Sequence, residues 1–282
     1  IQFFLKIVEN FLEKKEDLAS CQGISVIVPG IVNAEKGIVV YNSKLKLYDI
    51  PLKQLLEEQT KLPTFIDNDA NAFVLAENYF GSFHLYNNLF VVTIGDGVGS
   101  GLMINGSIYR GLTSSSGEFG HTTVVPDGVK CDCGNRGCLE NYINWPSIYS
   151  KVVTALVTKG RETVIRDLIA NDISQITPAI FVEAIRQSDK LALDILDEIA
   201  EYLAIGLKNA IHMFNPEVVI LSGKITQDNP ELLEIIKEKV TNKVIPFLKG
   251  KVNIQSTSLG ERFELLGAAA VLLHGKFNFQ IT

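Results

Sequence analysis

The spacing of apolar residues changes period repeatedly along the chain, and each change marks an element. Ile1–Lys15 places Phe4, Leu5, Val8, Phe11 and Leu12 on one helical face. Gly23–Gly30 is a β-branched run closed by Pro29-Gly30, which predicts a buried strand ending in a turn. Gly37–Tyr41 and Thr64–Asp67 predict further strands, with a helix over Pro51–Thr60 between them. From Asn68 a helix is expected to run to Phe80. Leu89–Ile94 is an unbroken apolar strand, Gly95–Gly101 a glycine-rich turn, and Leu102–Ile104 a resumed strand. Asn105-Gly106 carries the signal of a type I′ hairpin before Ser107–Tyr109. Helices are predicted over Trp145–Lys159, Glu162–Ala170, Thr177–Ser188 and Lys190–Met213. The last aligns Ile195, Ile199, Leu203 and Leu207, which reads as plain core, and Asn215-Pro216 stops it. Val218–Leu221 and Val252–Ser256 predict strands, and Phe263–His274 a closing helix that packs closely through small residues. Strands interleaved with helices predict an α/β fold. No tandem repeat, low-complexity tract or linker interrupts them.

At 282 residues the chain is long enough for two domains. Hydrophobic residues at 46% and charged residues at 21% exclude a disordered chain. No apolar run reaches the roughly 18 residues a membrane helix needs. A net charge of −6 excludes this segment as a gripper of nucleic acid by itself, since phosphate contact needs a basic surface. The chain begins at Ile1 rather than Met, and the expectation is that a further segment precedes it.

Three of the four cysteines, Cys131, Cys133 and Cys138, crowd together shortly after His121. Three soft thiolates and an imidazole are the ligand set of a closed, tetrahedral structural zinc site. Gly134 and Gly137 let the chain turn tightly enough for the sulfurs to face one point. Disulfides or buried free thiols are the alternative. Cys131 and Cys133 are too close to pair easily, Cys21 is distant in sequence, and the clustering suits a reducing cytoplasm.

Gly117-Glu118-Phe119-Gly120-His121, followed by Cys-x-Cys-Gly-x-x-Gly-Cys-x-Glu, resembles the signature of the ROK family of repressors and sugar kinases, and weaker echoes run over nearly the whole chain. The branch it most resembles is that of sugar-responsive transcriptional repressors of the xylose- and N-acetylglucosamine-repressor type. The resemblance implies an actin/hexokinase-like (ribonuclease H-like) two-domain α/β fold with a sugar cleft between the halves. It places 1–87 in one half, joined by the helix 263–276, and 88–262 in the other, with the zinc loop 121–138. Asn68-Asp69-Ala70-Asn71-Ala72 matches the family's sugar and catalytic-base motif, although Asn68 or Asp69 could merely cap a helix. By the same resemblance Gly30, Asn68, Asp69, Glu118, His121 and Glu140 read sugar hydroxyls. Asp69 would be a general base only in a kinase. His121 would serve twice, one ring nitrogen on zinc and the other toward the sugar.

The family's kinases open with Asp-x-Gly-x-Thr and its repressors with a winged-helix DNA reader, and neither motif occurs in this sequence. Gly95, Asp96, Gly97 and Gly99 fall on the second phosphate motif, where the kinases read Gly-Thr-Gly. A carboxylate facing a phosphate charge at roughly 4 Å costs about 1 kcal/mol in water and about 4 near a protein surface. Mg²⁺ held by Asp96 would reverse that sign. Ser222-Gly223 keeps only the second glycine of the adenosine pair, and Leu47 stands where the family often has Trp beside the sugar. The expectation is therefore a non-enzymatic sugar-effector domain of a repressor controlling carbohydrate metabolism, with structural zinc, DNA bound through a winged helix outside this segment, and a homodimer or tetramer. The alternative is a sugar kinase of glucokinase or N-acetylglucosamine-kinase type using Mg²⁺–ATP. Regulation by a partner protein, with a vestigial pocket, is a third possibility.

Overall fold

The computed structural model describes residues 1–14, 20–42, 44–158, 160–227 and 229–277. In chain order it begins with α1 (Gln2–Glu13), β1 (Ile24–Val28), β2 (Ile31–Asn33), β3 (Ile38–Asn42), β4 (Leu47–Ile50), α2 (Leu52–Thr60), β5 (Thr64–Asn68) and α3 (Asp69–Tyr79). There follow β6 (Leu89–Ile94), β7 (Val98–Ile104), β8 (Ser107–Ile108), α4 (Glu140–Ile143), α5 (Trp145–Val157), α6 (Ile165–Leu168) and α7 (Pro178–Arg186). The last are α8 (Lys190–Phe214), β9 (Val218–Ser222), α9 (Pro230–Lys243), β10 (Asn253–Ser256) and α10 (Phe263–Phe277). The expected helix ends at Lys15 and Lys159 lie outside the described residues.

The chain divides into two units. Unit 1 takes Ile1–Leu85, Gly101–Ser116 and Ser258–Thr282; unit 2 takes Tyr86–Ser100 and Gly117–Thr257. Unit 1 is built on the parallel pair β1–β5, registered from Ile24↔Thr64 to Val28↔Asn68. That register sets Pro29-Gly30 beside Asn68-Asp69, at the carboxyl ends of both strands, where α/β folds hold ligands. An antiparallel meander β2–β3–β4 follows. Val28, Val32, Val39, Leu52, Leu56 and Ile66 form its core, and Phe4, Leu5 and Val8 of α1 pack on it.

Unit 2 is organised by β6 and β9, a parallel pair extended by β10. The full strand order is β10-β9-β6-β7-β8. Leu89–Val92 and Val218–Leu221 are at most 2% exposed, and α8 buries an apolar face of twelve residues. Burial on both faces explains why these strands read as continuous apolar runs.

Several expectations are adjusted. The strand expected at Leu102 already begins at Val98. Its glycines answer to packing: a Cβ on Gly101 would lie 2.6 Å from the Ala70 carbonyl oxygen of α3. The same approach draws residues 101–116 into unit 1, whereas the sequence reading keeps 88–262 together. The helix expected over Glu162–Ala170 contracts to α6, and its C-terminal end is set by Ala170 and Asn171, which take left-handed φ of 46° and 63°. β2, β4 and α9 were not anticipated, although Asn229-Pro230 is a helix-start signal, with Asn229 Oδ1 accepting the Leu232 N–H. In the hairpin, Asn105 and Gly106 both have positive φ, 51° and 74°, as a type I′ turn requires.

Candidate functional site

In unit 2, the segment that carries Glu118 and His121 is fastened by its apolar neighbour. Phe119 meets Phe90 of β6 edge-to-face at 5.3 Å. It also rests on Gly206 of α8, where a Cβ would come within 2.8 Å of both Phe119 and Leu139. Gly206 is thus a notch for the two apolar anchors that bracket the cysteine loop, and nothing in the helical pattern distinguishes it from ordinary core. Gly117 has φ 93°, and a Cβ there would lie 2.4 Å from the Ser100 carbonyl oxygen.

His121 then faces the cysteines. Its Nδ1 is 3.7 Å from Cys131 Sγ, and Cys133 Sγ is 3.6 Å from Cys138 Sγ. All four donor atoms lie within 4.8 Å of one another. A tetrahedral ion with bonds of about 2.3 Å has ligand–ligand edges of roughly 3.8 Å, so the donor set fits one metal ion. The loop is shaped by its own backbone: the Cys131 N–H donates to Asn135 O at 2.8 Å and the Gly134 N–H to Cys131 O at 3.0 Å. Gly137 has φ 72°, and a Cβ there would sit 1.7 Å from the Val125 carbonyl oxygen, which no side chain tolerates. Tyr142 Oη, accepting the Val129 N–H at 2.9 Å, pins the loop to α4. Burial pushes the Cys138 thiol up to about 12, and the Asn135 N–H holds Cys133 below its usual value. A bound cation favours all three thiolates.

The second nitrogen of His121, Nε2, lies 3.8 Å from Glu118 Oε2. The imidazole therefore has a thiol on one side and, beyond hydrogen-bond reach, a carboxylate on the other. One oxygen of Glu140 is engaged internally: its Oε2 accepts the Val98 N–H at 2.8 Å. The turn before Val98 is closed on itself, Gly95 N–H donating to Gly97 O at 2.9 Å, while Gly95 O accepts the Trp145 N–H at 2.8 Å. Asp96 is exposed at its tip, and Gly99 lies inside β7 rather than in the turn. The glycine kept at 223 has a packing cause, since a Cβ there would lie 2.0 Å from the Ile94 carbonyl oxygen.

Unit 1 brings together Gly30, Asn68 and Asp69. Asn68 does cap α3, its Oδ1 accepting the Asn71 N–H at 3.1 Å. Its Nδ2 donates to Gly30 O at 2.9 Å and to Asp69 Oδ1 at 3.1 Å. Capping and site assembly are thus the same act. Asp69 Oδ1 also accepts the Ala70 N–H at 2.9 Å. Among the described residues no other side chain donates to Asp69, which leaves it able to accept a ligand hydroxyl. Burial raises its pKa, helped by the charge of Glu264 and opposed by those hydrogen bonds. Leu47 packs against the unit 1 core, while its neighbour Tyr48 is 63% exposed.

Sequence reading overlooked Asp67 and Arg110. Asp67, 2% exposed, receives both terminal nitrogens of Arg110 at 2.7 and 2.6 Å, and its Oδ1 also takes the Asn68 N–H at 2.8 Å. Burial disfavours the Arg110 charge, but the Asp67 carboxylate outweighs it and raises the pKa overall. The partners are 43 residues apart, and no local pattern joins them.

The ROK family model matches residues 2–275. The chain belongs to the ROK family. The xylose repressor of Caldicellulosiruptor bescii is 32% identical over 257 residues, covering 91% of this chain and 64% of the repressor. The glucokinase of Thermotoga maritima is also 32% identical, over 275 residues, covering 95% of this chain and 84% of the enzyme. Among solved structures, a ROK-family transcriptional regulator described as a homologue of the Escherichia coli MLC protein aligns with a TM-score of 0.84 at 26% identity, over 96% of this chain and 67% of the regulator. The ROK-family glucokinase of Streptomyces griseus, solved with glucose and AMPPNP, gives 0.84 at 26% identity, over 95% of this chain and 86% of the enzyme. The fold is the actin/hexokinase-like α/β fold of ROK proteins. Repressors and kinases match equally well, so the family supports a sugar-related function for the chain and does not decide between regulator and enzyme. The chain spans 64% of the xylose repressor's length. Among the described residues no helix is long and apolar enough to cross a membrane.

Proposed function

We propose that the chain is the sugar-binding effector domain of a ROK-family transcriptional repressor controlling carbohydrate metabolism in the cytoplasm. The observation that carries this reading is the Gly95–Gly97 turn. Asp96 puts a carboxylate at its exposed tip, and the N–H groups of Gly95 and Val98 are engaged by Gly97 O and Glu140. A phosphate cradle needs free N–H donors and no opposing charge. The sugar is read by Asn68, Asp69, Glu118, His121 and Glu140, with Gly30 at the edge of its pocket. His121, Cys131, Cys133 and Cys138 hold a structural zinc, which keeps His121 and Glu118 in position. DNA is contacted by a winged helix outside this acidic segment, in a homodimer or tetramer. The sugar acts through its different affinity for two conformational states.

A second reading, an ATP-dependent sugar kinase, is favoured by Asp69. A half-buried carboxylate with a raised pKa suits a general base at a sugar hydroxyl, and Mg²⁺–ATP would lie at Gly95, Asp96, Gly97 and Gly99. Calorimetric titration with neutral sugars and, separately, with Mg²⁺–ATP distinguishes the two. Sugar binding without ATP binding or turnover is expected, and Asp96→Thr should strengthen any residual ATP binding. Saturable ATP binding with a phosphorylated product in the unaltered protein would overturn the repressor reading.

A further inference from the structure

The Asp67–Arg110 ion pair of unit 1, with its carboxylate buried and its guanidinium partly exposed, has no part in the proposed function. Arg110 follows β8, and Asp67 ends the buried stretch of β5 one residue before the sugar motif. The guanidinium forks onto both carboxylate oxygens, at 2.7 Å to Oδ1 and 2.6 Å to Oδ2. Such a two-point contact fixes a carboxylate in plane as well as in place. The same Oδ1 accepts the Asn68 N–H. Asn68 in turn holds Gly30 O and Asp69 Oδ1. An uninterrupted line of hydrogen bonds therefore leads from Arg110 to the carboxylate expected to accept a sugar hydroxyl.

We propose that Arg110 is a positioning residue of the sugar site: acting through Asp67, it sets the aim of Asn68 and Asp69 and so the discrimination between sugars that differ at one hydroxyl. This rests on the sugar-binding reading. A pair that served only to anchor the β7–β8 hairpin would govern stability and leave that discrimination alone. The two roles separate because removing one partner orphans a buried charge, whereas neutralising both does not.

The test measures binding of glucose, mannose, galactose and xylose by calorimetry, with melting temperature, for the unaltered chain, Arg110→Lys, Arg110→Met and the double variant Asp67→Asn/Arg110→Met. The double variant is expected to melt near the unaltered chain. It should bind the preferred sugar roughly 10- to 100-fold more weakly, by analogy with groups that orient metal ligands, and it should lose most of the preference between epimers. Arg110→Lys, which keeps the charge and loses the fork, should fall between. A folded double variant with unchanged affinity and epimer ratio overturns the role of Arg110 and leaves the sugar reading intact. An unaltered chain that binds none of the four sugars overturns both.

Discussion

The cysteine loop of unit 2 and the Asn68–Asp69 corner of unit 1 position chemistry by opposite means. The loop gathers its four donors from residues 121–138, and its regular structure is one turn of 3-10 helix over Phe119–His121. Its shape depends on glycines in left-handed conformations, and its donor set fits a cation that would balance three thiolates. The corner is made of regular elements, a strand end and a helix cap, tied by Arg110 from far along the chain. A site held by a metal fails all at once when the metal leaves. A site held by a fold loses aim before it loses form.

The contrast is broken most severely by removing the metal. Chelation, or Cys138→Ser, should abolish metal binding as read by elemental analysis. A structural site of this kind contributes several kcal/mol or more. At roughly 2–4 °C per kcal/mol for a domain of this size, the melting temperature should fall by about 10 °C or more. Cys21→Ser is the matched control: Cys21 lies outside the cluster, donating to Gly23 O, and its replacement should leave metal content unchanged. Equal losses in both variants would refute the assignment of the cluster.

Asp69→Asn addresses the corner. Loss of a charge-assisted hydrogen bond should weaken sugar binding by about 1.5–3 kcal/mol, roughly 10- to 150-fold. Stability should move the other way. Burial raises the folded-state pKa of Asp69, so its protonated form favours the fold; that contribution is complete below the unfolded value of 3.8 and is lost as pH rises through the higher folded value. Melting curves from pH 3.5 to pH 7 should show the variant gaining on the parent as pH rises. A constant difference would mean that Asp69 is not desolvated.

Gly206→Ala is the mildest test. The added methyl meets Phe119 and Leu139, and overpacking of this kind costs about 1–3 kcal/mol. Metal affinity should drop modestly while α8 stays helical by circular dichroism. Unchanged metal affinity would show that the loop does not depend on its seat on α8.

The sequence revealed the loop more fully than the corner, for a physical reason. Cysteine and histidine at short spacing are rare and chemically loud, so the clustering of His121, Cys131, Cys133 and Cys138 is legible without the fold. β6, β9 and α8 were equally plain, because burial on both faces or along a long stripe leaves uniform apolar patterns. Asp67, Arg110, Gly206 and Tyr142 were silent. Each looks like an ordinary surface, strand or helix residue until the tertiary structure supplies its partner. The glycines of 95–101 misled in part, since Gly101 answers to the approach of α3 rather than to a turn. The C-terminal end of α6 differs because its two left-handed residues, Ala170 and Asn171, are not glycines that would announce them.

The Asp67–Arg110 pair also bears on how such a chain can change over time. Losing Arg110 alone strands the Asp67 carboxylate in the interior, a costly step, whereas exchanging both together is close to neutral for stability. The two positions are therefore bound to a common history. Among descendants of this sequence, lineages that give up the arginine at 110 should be those that have also replaced the acid at 67, and the sugar each lineage favours should shift at that same branch.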